Sequence, residues 1–155
     1  MKQHQYETTL QWTGNTGEGT ATYRSYGRKF TLTAAGKSEI LGSSDPVFRG
    51  DSDRYNPEEM LLAALSSCHM LSYLHVCAVN KIVVLAYEDR AEGTMQERPD
   101  GSGIFTRVQL NPKVTISPES DAARARELHH KAHELCFIAN SVNFPVEAAP
   151  VIVQG

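Results

Sequence analysis

The sequence predicts an α+β fold in which antiparallel sheets accompany two main helices, the central one buried. Two blocks are rich in β-forming residues and turn signals, at 10–41 and 82–116, and two stretches have helical character, at 60–79 and 117–135. Strands and helices come in blocks rather than in strict alternation, which favours α+β over a parallel α/β fold. We expect a single domain over residues 1–155, because a chain of this length can bury its own hydrophobic core.

The first block predicts a small antiparallel meander. Turn signals at 14–17 and 35–37 separate β-forming runs, of which 20–26 and 30–33 are the richest. A polar, turn-rich loop follows at 42–55, and long loops inside compact domains often carry functional residues.

The central helix has a clear start. Asn56 is a favourable N-cap, Pro57 suits the first helical position, and Glu59 completes an arrangement like a capping box. The run 60–79 is apolar almost all round, which predicts a core helix buried on every face. Asn80 and Lys81 should end it.

The second half of the chain predicts a hairpin, a helix and a last strand. The runs 82–95 and 104–116 flank a turn cluster at 98–103. Ser117 and Pro118 should cap and open the second helix. Residues 146–153 are a candidate final strand.

Composition narrows the function classes. The net charge of −3 gives no electrostatic reason to expect nucleic-acid binding, which normally needs a basic patch. We expect no membrane span, because no stretch is predicted to be long and apolar enough, and no signal peptide, because the start of the chain lacks an apolar core. The cytoplasm is then the expected compartment, where a disulfide is more often transient and catalytic than structural.

Cys68 and Cys136 each lie within or at the end of a predicted helix, and both could be ordinary core thiols or a redox pair. Cys68 lies twelve residues past the N-cap, too far for the helix dipole to lower the pKa of its thiol. A reactive Cys68 would need a cation from elsewhere in the fold, and Arg49 and Arg54 in the preceding loop are the candidates. His69 and His75 are possible bases, although a histidine beside a cysteine is more often packed or solvated.

Two further residues on the central helix are limited by geometry. Cys77 lies on the opposite face from Cys68, about 13 Å along the axis, so the two cannot form a disulfide. Glu58 precedes Cys68 by ten residues, or about 15 Å of helix rise. Both can serve one site only if Glu58 comes from a second subunit or if the helix breaks.

A metal site is a second interpretation of the same region. His129, His133 and Cys136 share one face of the second helix, and Cys68 could be a fourth zinc ligand. The spacing fits a zinc site only loosely and no second ligand cluster exists, so a polar helix face with aligned histidines is the favoured interpretation. We therefore predict neither a metal nor another cofactor.

The two cysteine motifs together resemble the OsmC/Ohr family of organic hydroperoxide-reducing proteins. The segment 56–59 with Cys68 ten residues after Glu58 is similar to that family's first cysteine motif. The segment 132–136 followed by Asn140-Ser141 is similar to its second. The order of elements also matches through nearly the whole chain.

The resemblance implies an OsmC-like fold that forms an intertwined homodimer with two active sites at the interface. It implies a peroxidase in which Cys68 attacks an organic hydroperoxide, Cys136 resolves the sulfenic acid as a disulfide, and a lipoyl-type or small dithiol reduces that disulfide. Glu58 and an arginine would activate Cys68. Arg49 fits the arginine position of the OsmC branch best, with Arg54 as the alternative.

The sequence departs from the family pattern beside both cysteines. The polar residue His69 follows Cys68, and Phe137 follows Cys136, where many members have proline. Two other functions use the same residues: a redox sensor that oxidises without turnover, and the zinc-binding protein described above. A cysteine hydrolase is weaker, because no oxyanion-hole motif is visible.

Overall fold

The computed structural model describes residues 1–155 and contains two α-helices, two short 3-10 helices (Pro46–Phe48 and Ala139–Ser141) and nine strands. The α-helices are α1 (Pro57–Val79) and α2 (Ala122–Leu135). The strands are β1 (Thr9–Trp12), β2 (Phe30–Thr33), β3 (Ile40–Gly42), β4 (Val84–Asp89), β5 (Glu92–Glu97), β6 (Gly103–Leu110), β7 (Pro112–Ile116), β8 (Val146–Ala148) and β9 (Val151–Gln154). The α+β prediction is confirmed.

The chain divides into two compact units, 1–60 and 61–155. The first contains the predicted meander, in which β2 pairs antiparallel with both β1 and β3. The β-rich run 20–26 forms turns instead of a strand, and only Tyr26 makes an isolated bridge, to Asn15. Whether 1–155 is one domain stays a prediction.

In the second unit the predicted hairpin forms, but it divides into two sheets. Strand β5 pairs with β6 near the turn, and β4 pairs with β7 farther along. The break is held by Asn111, whose backbone N–H donates to Asp89 Oδ1 (2.6 Å) and whose Nδ2 donates to the carbonyl of Arg90 (2.9 Å). These bonds replace the ladder where the strands change sheet.

The last segment adds one strand to each of these sheets. Strand β8 pairs parallel with β6, and β9 pairs parallel with β7. The expected single strand at 146–153 is therefore two strands, separated at Ala149 and Pro150. Both sheets of the second unit are mixed rather than purely antiparallel, as sheets β4-β7-β9 and β5-β6-β8.

Helix α1 begins with the predicted capping box. Asn56 Oδ1 accepts from the Glu59 backbone N–H (2.8 Å), and the Asn56 N–H donates to Glu59 Oε1 (3.2 Å). The helix ends before Lys81, whose φ of 60° lies in the left-handed region.

Burial of α1 is one-sided rather than all round. Its buried residues form a single stripe: Leu65, His69, Tyr73, Val76 and Cys77. Leu71 is 62% exposed and Val79 is 65% exposed, so much apolar surface faces outward. Contrary to expectation, α1 is long and apolar enough to cross a membrane by length and composition, a test that a core helix also passes.

Helix α2 begins later than predicted. Its N-cap is Asp121, whose carboxylate accepts from the Arg124 N–H (3.1 Å), while Ser117 and Ser120 form a preceding turn. The main core lies where α1, β7 and α2 meet: Tyr73, Val76, Cys77, Ile82, Val114, Ile116, Ala125, Leu128 and Ala132. This packing fixes the end of α2 against the middle of α1.

Candidate functional site

The fold brings the thiols of Cys68 and Cys136 together. Cys68 lies in the middle of α1 and is partly exposed, whereas Cys136 is the C-cap of α2 and is buried. Both are free thiols. Their side chains are near enough for Cys68 to affect the ionisation of Cys136.

The environment of Cys136 keeps its thiol protonated. Burial raises the pKa of Cys136 to about 11, and the neighbouring Cys68 thiol adds to the rise. The Ala139 backbone N–H donates to Cys136 Sγ (3.4 Å) and partly opposes that shift. Thiolates are the attacking form. Cys136 is therefore poorly suited to attack first, and the more accessible Cys68 is the better candidate.

Cys68 lines an apolar cleft with a volume of about 680 Å³. Leu71, Leu135, Phe137 and Ile138 supply its apolar wall, and His75 and two serines supply the polar groups. Phe137 is 75% exposed, so the residue that departs from the family pattern forms part of the open rim. Apolar clefts of this size with few polar groups suit small organic ligands.

His69 points away from this cleft, although it follows Cys68 directly. Adjacent helical residues are separated by about 100° around the axis. His69 is buried, and its Nε2 lies 3.0 Å from His129 Nδ1. It is therefore a packed histidine rather than a base for the thiol, while His75 is exposed on the cleft.

Burial holds both members of this histidine pair neutral. It lowers the pKa of His69 to about 4, a shift that Asp89 opposes and His133 reinforces. Burial lowers the pKa of His129 to about 3, and His69 and Arg126 add to that effect. The ring of Tyr73 stacks on His129 at 3.8 Å, and its hydroxyl donates to the Ala125 carbonyl (2.8 Å).

The structure does not bring the candidate zinc ligands to one point. His129 and His133 line a different cleft from Cys68, and His129 is bonded to His69. No group of three or more metal-ligating side chains occurs in the structure. His129 and His133 lie within α2, whereas Cys136 is its C-cap with an extended backbone, and residues near one helix face do not by themselves converge on one point.

Glu58 and Arg49 both belong to the unit 1–60. Because α1 is continuous from Pro57 to Val79, Glu58 stays about 15 Å of helix rise from Cys68, and no break brings it nearer.

The two candidate arginines differ in their partners. Arg54 donates to the carbonyls of Phe30 (3.2 Å) and Gly42 (3.5 Å). Arg49 follows the short helix Pro46–Phe48 with φ 65°, and its exposed guanidinium makes no hydrogen bond or ion pair. Of the two arginines, Arg49 is the one free to bind a further group.

The buried pair of His69 and His129 was not predicted from the sequence. Its signal was present, since His69 lies four residues after Leu65 and four before Tyr73, on the stripe that α1 buries. Cys77 is buried in the core, as predicted for a packing residue.

The comparisons with known proteins agree with this geometry. The sequence model of the OsmC family, described as OsmC-like protein, matches residues 50–149. The chain belongs to the OsmC family. An OsmC-like protein of unknown function from Vibrio cholerae shares 34% identity and a TM-score of 0.86, over 96% of this chain and 100% of that one.

More distant OsmC structures have the same fold. An organic hydroperoxide resistance protein from Elizabethkingia anophelis has 19% identity and a TM-score of 0.69, over 99% of this chain and 100% of the other. The organic hydroperoxide resistance protein OhrB of Bacillus subtilis has 18% identity and a TM-score of 0.64, over 96% and 98%. No curated protein matches this OsmC chain.

Proposed function

We propose that this OsmC-family protein is a thiol peroxidase that reduces organic hydroperoxides to alcohols. The observation that carries the proposal is an accessible thiol, Cys68, beside a buried one, Cys136, in an apolar cleft. An apolar wall binds the alkyl or aryl part of an organic hydroperoxide, a contact that hydrogen peroxide cannot make.

The reaction has three balanced steps. The Cys68 thiolate attacks the outer peroxide oxygen, the O–O bond breaks, and the departing alkoxide takes a proton to leave as the alcohol. Cys136 then gives up its proton, its thiolate attacks the sulfur of the Cys68 sulfenic acid to form the disulfide, and the departing hydroxide takes a proton and leaves as water. A dithiol such as a lipoyl group reduces the disulfide by exchange and becomes a disulfide itself. Such reductants suit a cytoplasmic enzyme.

We further propose an intertwined homodimer in which Glu58 and Arg49 of one copy serve Cys68 of the other. The continuity of α1 supports this, because one copy cannot bring Glu58 to its own Cys68. The exposed apolar side chains of Leu71 and Phe137, beside the cleft at Cys68, support an apolar contact between the two copies. Arg49 would favour the Cys68 thiolate by its positive charge.

The first test is chemical. Reduced protein receives one equivalent of cumene hydroperoxide, its thiols are titrated, and any disulfide is mapped by peptide analysis. We expect two thiols to disappear and a Cys68–Cys136 linkage to appear. Three remaining thiols would refute the proposal.

Variants separate the steps. Cys68→Ser should abolish peroxide consumption, whereas Cys136→Ser should complete one turnover and stall as a sulfenic acid. Cys77→Ala is the matched control, because its thiol lies in the core away from the cleft. Wild-type protein that oxidises once and is not recycled by dihydrolipoamide would instead be a redox sensor.

The shared site has its own test. Glu58→Gln and Cys68→Ser should each be inactive alone, but subunits mixed from urea and refolded should recover about a quarter of wild-type activity. Half of the dimers would then be mixed, each with one intact site. No recovery in verified mixed dimers would show that Glu58 does not act across the interface.

A further inference from the structure

We propose that a second cleft, between α2 and β8, binds a small molecule that carries an oxyanion, either a carboxylate or a phosphate. This cleft has a volume of about 450 Å³ and shares no residue with the cleft at Cys68. Arg126, His129, His130 and His133 line one side. The other side is formed by Val146, Glu147, Ala148 and Pro150. The proposal does not depend on the peroxidase function.

One face of α2 supplies all the nitrogen groups. Positions 126, 129, 130 and 133 follow the i, i+3, i+4, i+7 spacing that places side chains along one helix face. An arginine and three imidazoles offer only N–H donors and nitrogen lone pairs, and a guanidinium matches the two oxygens of a carboxylate or phosphate.

Arg126 is held in place but not neutralised. Its Nη1 donates to the Pro150 carbonyl (2.8 Å), and it forms no ion pair, so its other N–H groups stay available. Two carboxylates, that of Glu147 in the cleft lining and that of Glu134 on α2, have cations of their own. Glu147 lies 3.7 Å from Arg107, and Glu134 lies 3.2 Å from His130 and 3.1 Å from Lys131.

His129 supplies a second, independent sign of a missing partner. Its Nδ1 is occupied by His69, while its Nε2 is buried and has no hydrogen-bond partner. A neutral imidazole carries one proton. If His69 Nε2–H donates to His129 Nδ1, the proton of His129 lies on Nε2, which needs an acceptor such as a ligand oxygen. Buried polar atoms are seldom left unpaired in this way.

A metal ion fits the same cleft poorly. Zinc sites need three or more converging ligands, and the structure contains no such group. Arg126 would also repel a cation at this position. The set of nitrogen donors on α2 therefore favours an anion.

The test is a titration of histidine-labelled protein with inorganic phosphate, and separately with acetate, at pH 7.5 and constant ionic strength. Long-range ¹H–¹⁵N spectra report the ring nitrogens of each histidine. We expect a saturable shift of the His129 Nε2 signal, and the probe that binds more tightly identifies the oxyanion. No saturable shift with either probe would overturn the proposal.

Arg126→Gln should weaken anion binding at least tenfold, and His133→Gln should also weaken it. Both side chains are exposed, so neither substitution should disturb the hydrophobic core. Arg124→Gln is the control, because Arg124 bonds to Asn80 and does not line the cleft. An equal loss in Arg124→Gln and Arg126→Gln would refute a built site. So would a saturable response to zinc with none to phosphate or acetate.

Discussion

The buried pair His69 and His129 should make the protein acid-sensitive. The pKa of each imidazole falls from 6.5 to about 4 and about 3 on folding, chiefly because burial penalises the charged form. Below pH 6.5 the unfolded chain therefore binds protons that the folded chain does not. The free energy of unfolding must fall as pH drops through this window, and the full stability is present above it.

The magnitude depends little on the folded pKa values, provided both lie well below 5. From pH 7.5 to pH 5.0, each unfolded histidine gains about 2 kcal/mol of protonation free energy, so the pair should remove about 4 kcal/mol of stability. Most carboxylates stay ionised over this range and contribute less. A loss of this size is a large fraction of the stability of a typical domain.

The assay is urea unfolding followed by far-ultraviolet circular dichroism at both pH values, with equal slopes as the check on two-state behaviour. His69→Gln and His129→Asn place amide groups near the original ring nitrogens and cannot titrate. Each should remove about 2 kcal/mol of the pH dependence.

The control is His130→Gln, whose side chain is 82% exposed and should leave the pH dependence nearly intact. A wild-type change below about 1 kcal/mol would refute the reasoning, since the unfolded chain would then gain no excess protons. So would a His69→Gln variant that keeps the whole pH dependence.

Three other predictions concern the cleft and the framework. Leu71→Ala should raise the KM for cumene hydroperoxide several-fold and leave hydrogen peroxide kinetics unchanged. Val79→Ala, an exposed position outside the cleft, is the control. Equal effects on both peroxides would contradict an apolar substrate site. Asn56→Ala removes the cap of α1 and should cost about 1 kcal/mol in urea unfolding, whereas Asn56→Asp should retain most of it. Tyr73→Phe removes the buried hydroxyl that donates to Ala125 and should cost about 1–2 kcal/mol, with a near-neutral result pointing to a replacement donor.

Local signals predicted much of the framework. Asn56, Pro57 and Glu59 predicted the start of α1 because capping depends on residues three positions apart. The hairpin followed from its turn cluster. The prediction of Ser117 as the N-cap of α2 was wrong. Asp121, four residues later, takes that role, because its carboxylate accepts from the Arg124 backbone N–H. Both sites carried the same local signal, so the sequence could not rank them.

Long-range features were less accessible. The parallel pairing of β8 and β9 with strands far earlier in the chain has no local signature, since only the docking of α2 brings them together. The division of the hairpin at Asn111 depends on a bond to Asp89 across the sheet. The approach of Cys136 to Cys68 entered only through family resemblance, because spacing on separate helices does not determine distance.

The arrangement of α1 explains why two kinds of chemistry can lie one residue apart. Cys68 faces an open apolar cleft, while His69, turned by about 100°, joins α1 to α2 through His129. Tyr73, one turn further on, adds a second bond to α2 through the Ala125 carbonyl. These buried contacts fix where α2 ends, and Cys136 is its C-cap. The polar pair that never contacts the cleft therefore helps to set the position of the thiol that must reach Cys68.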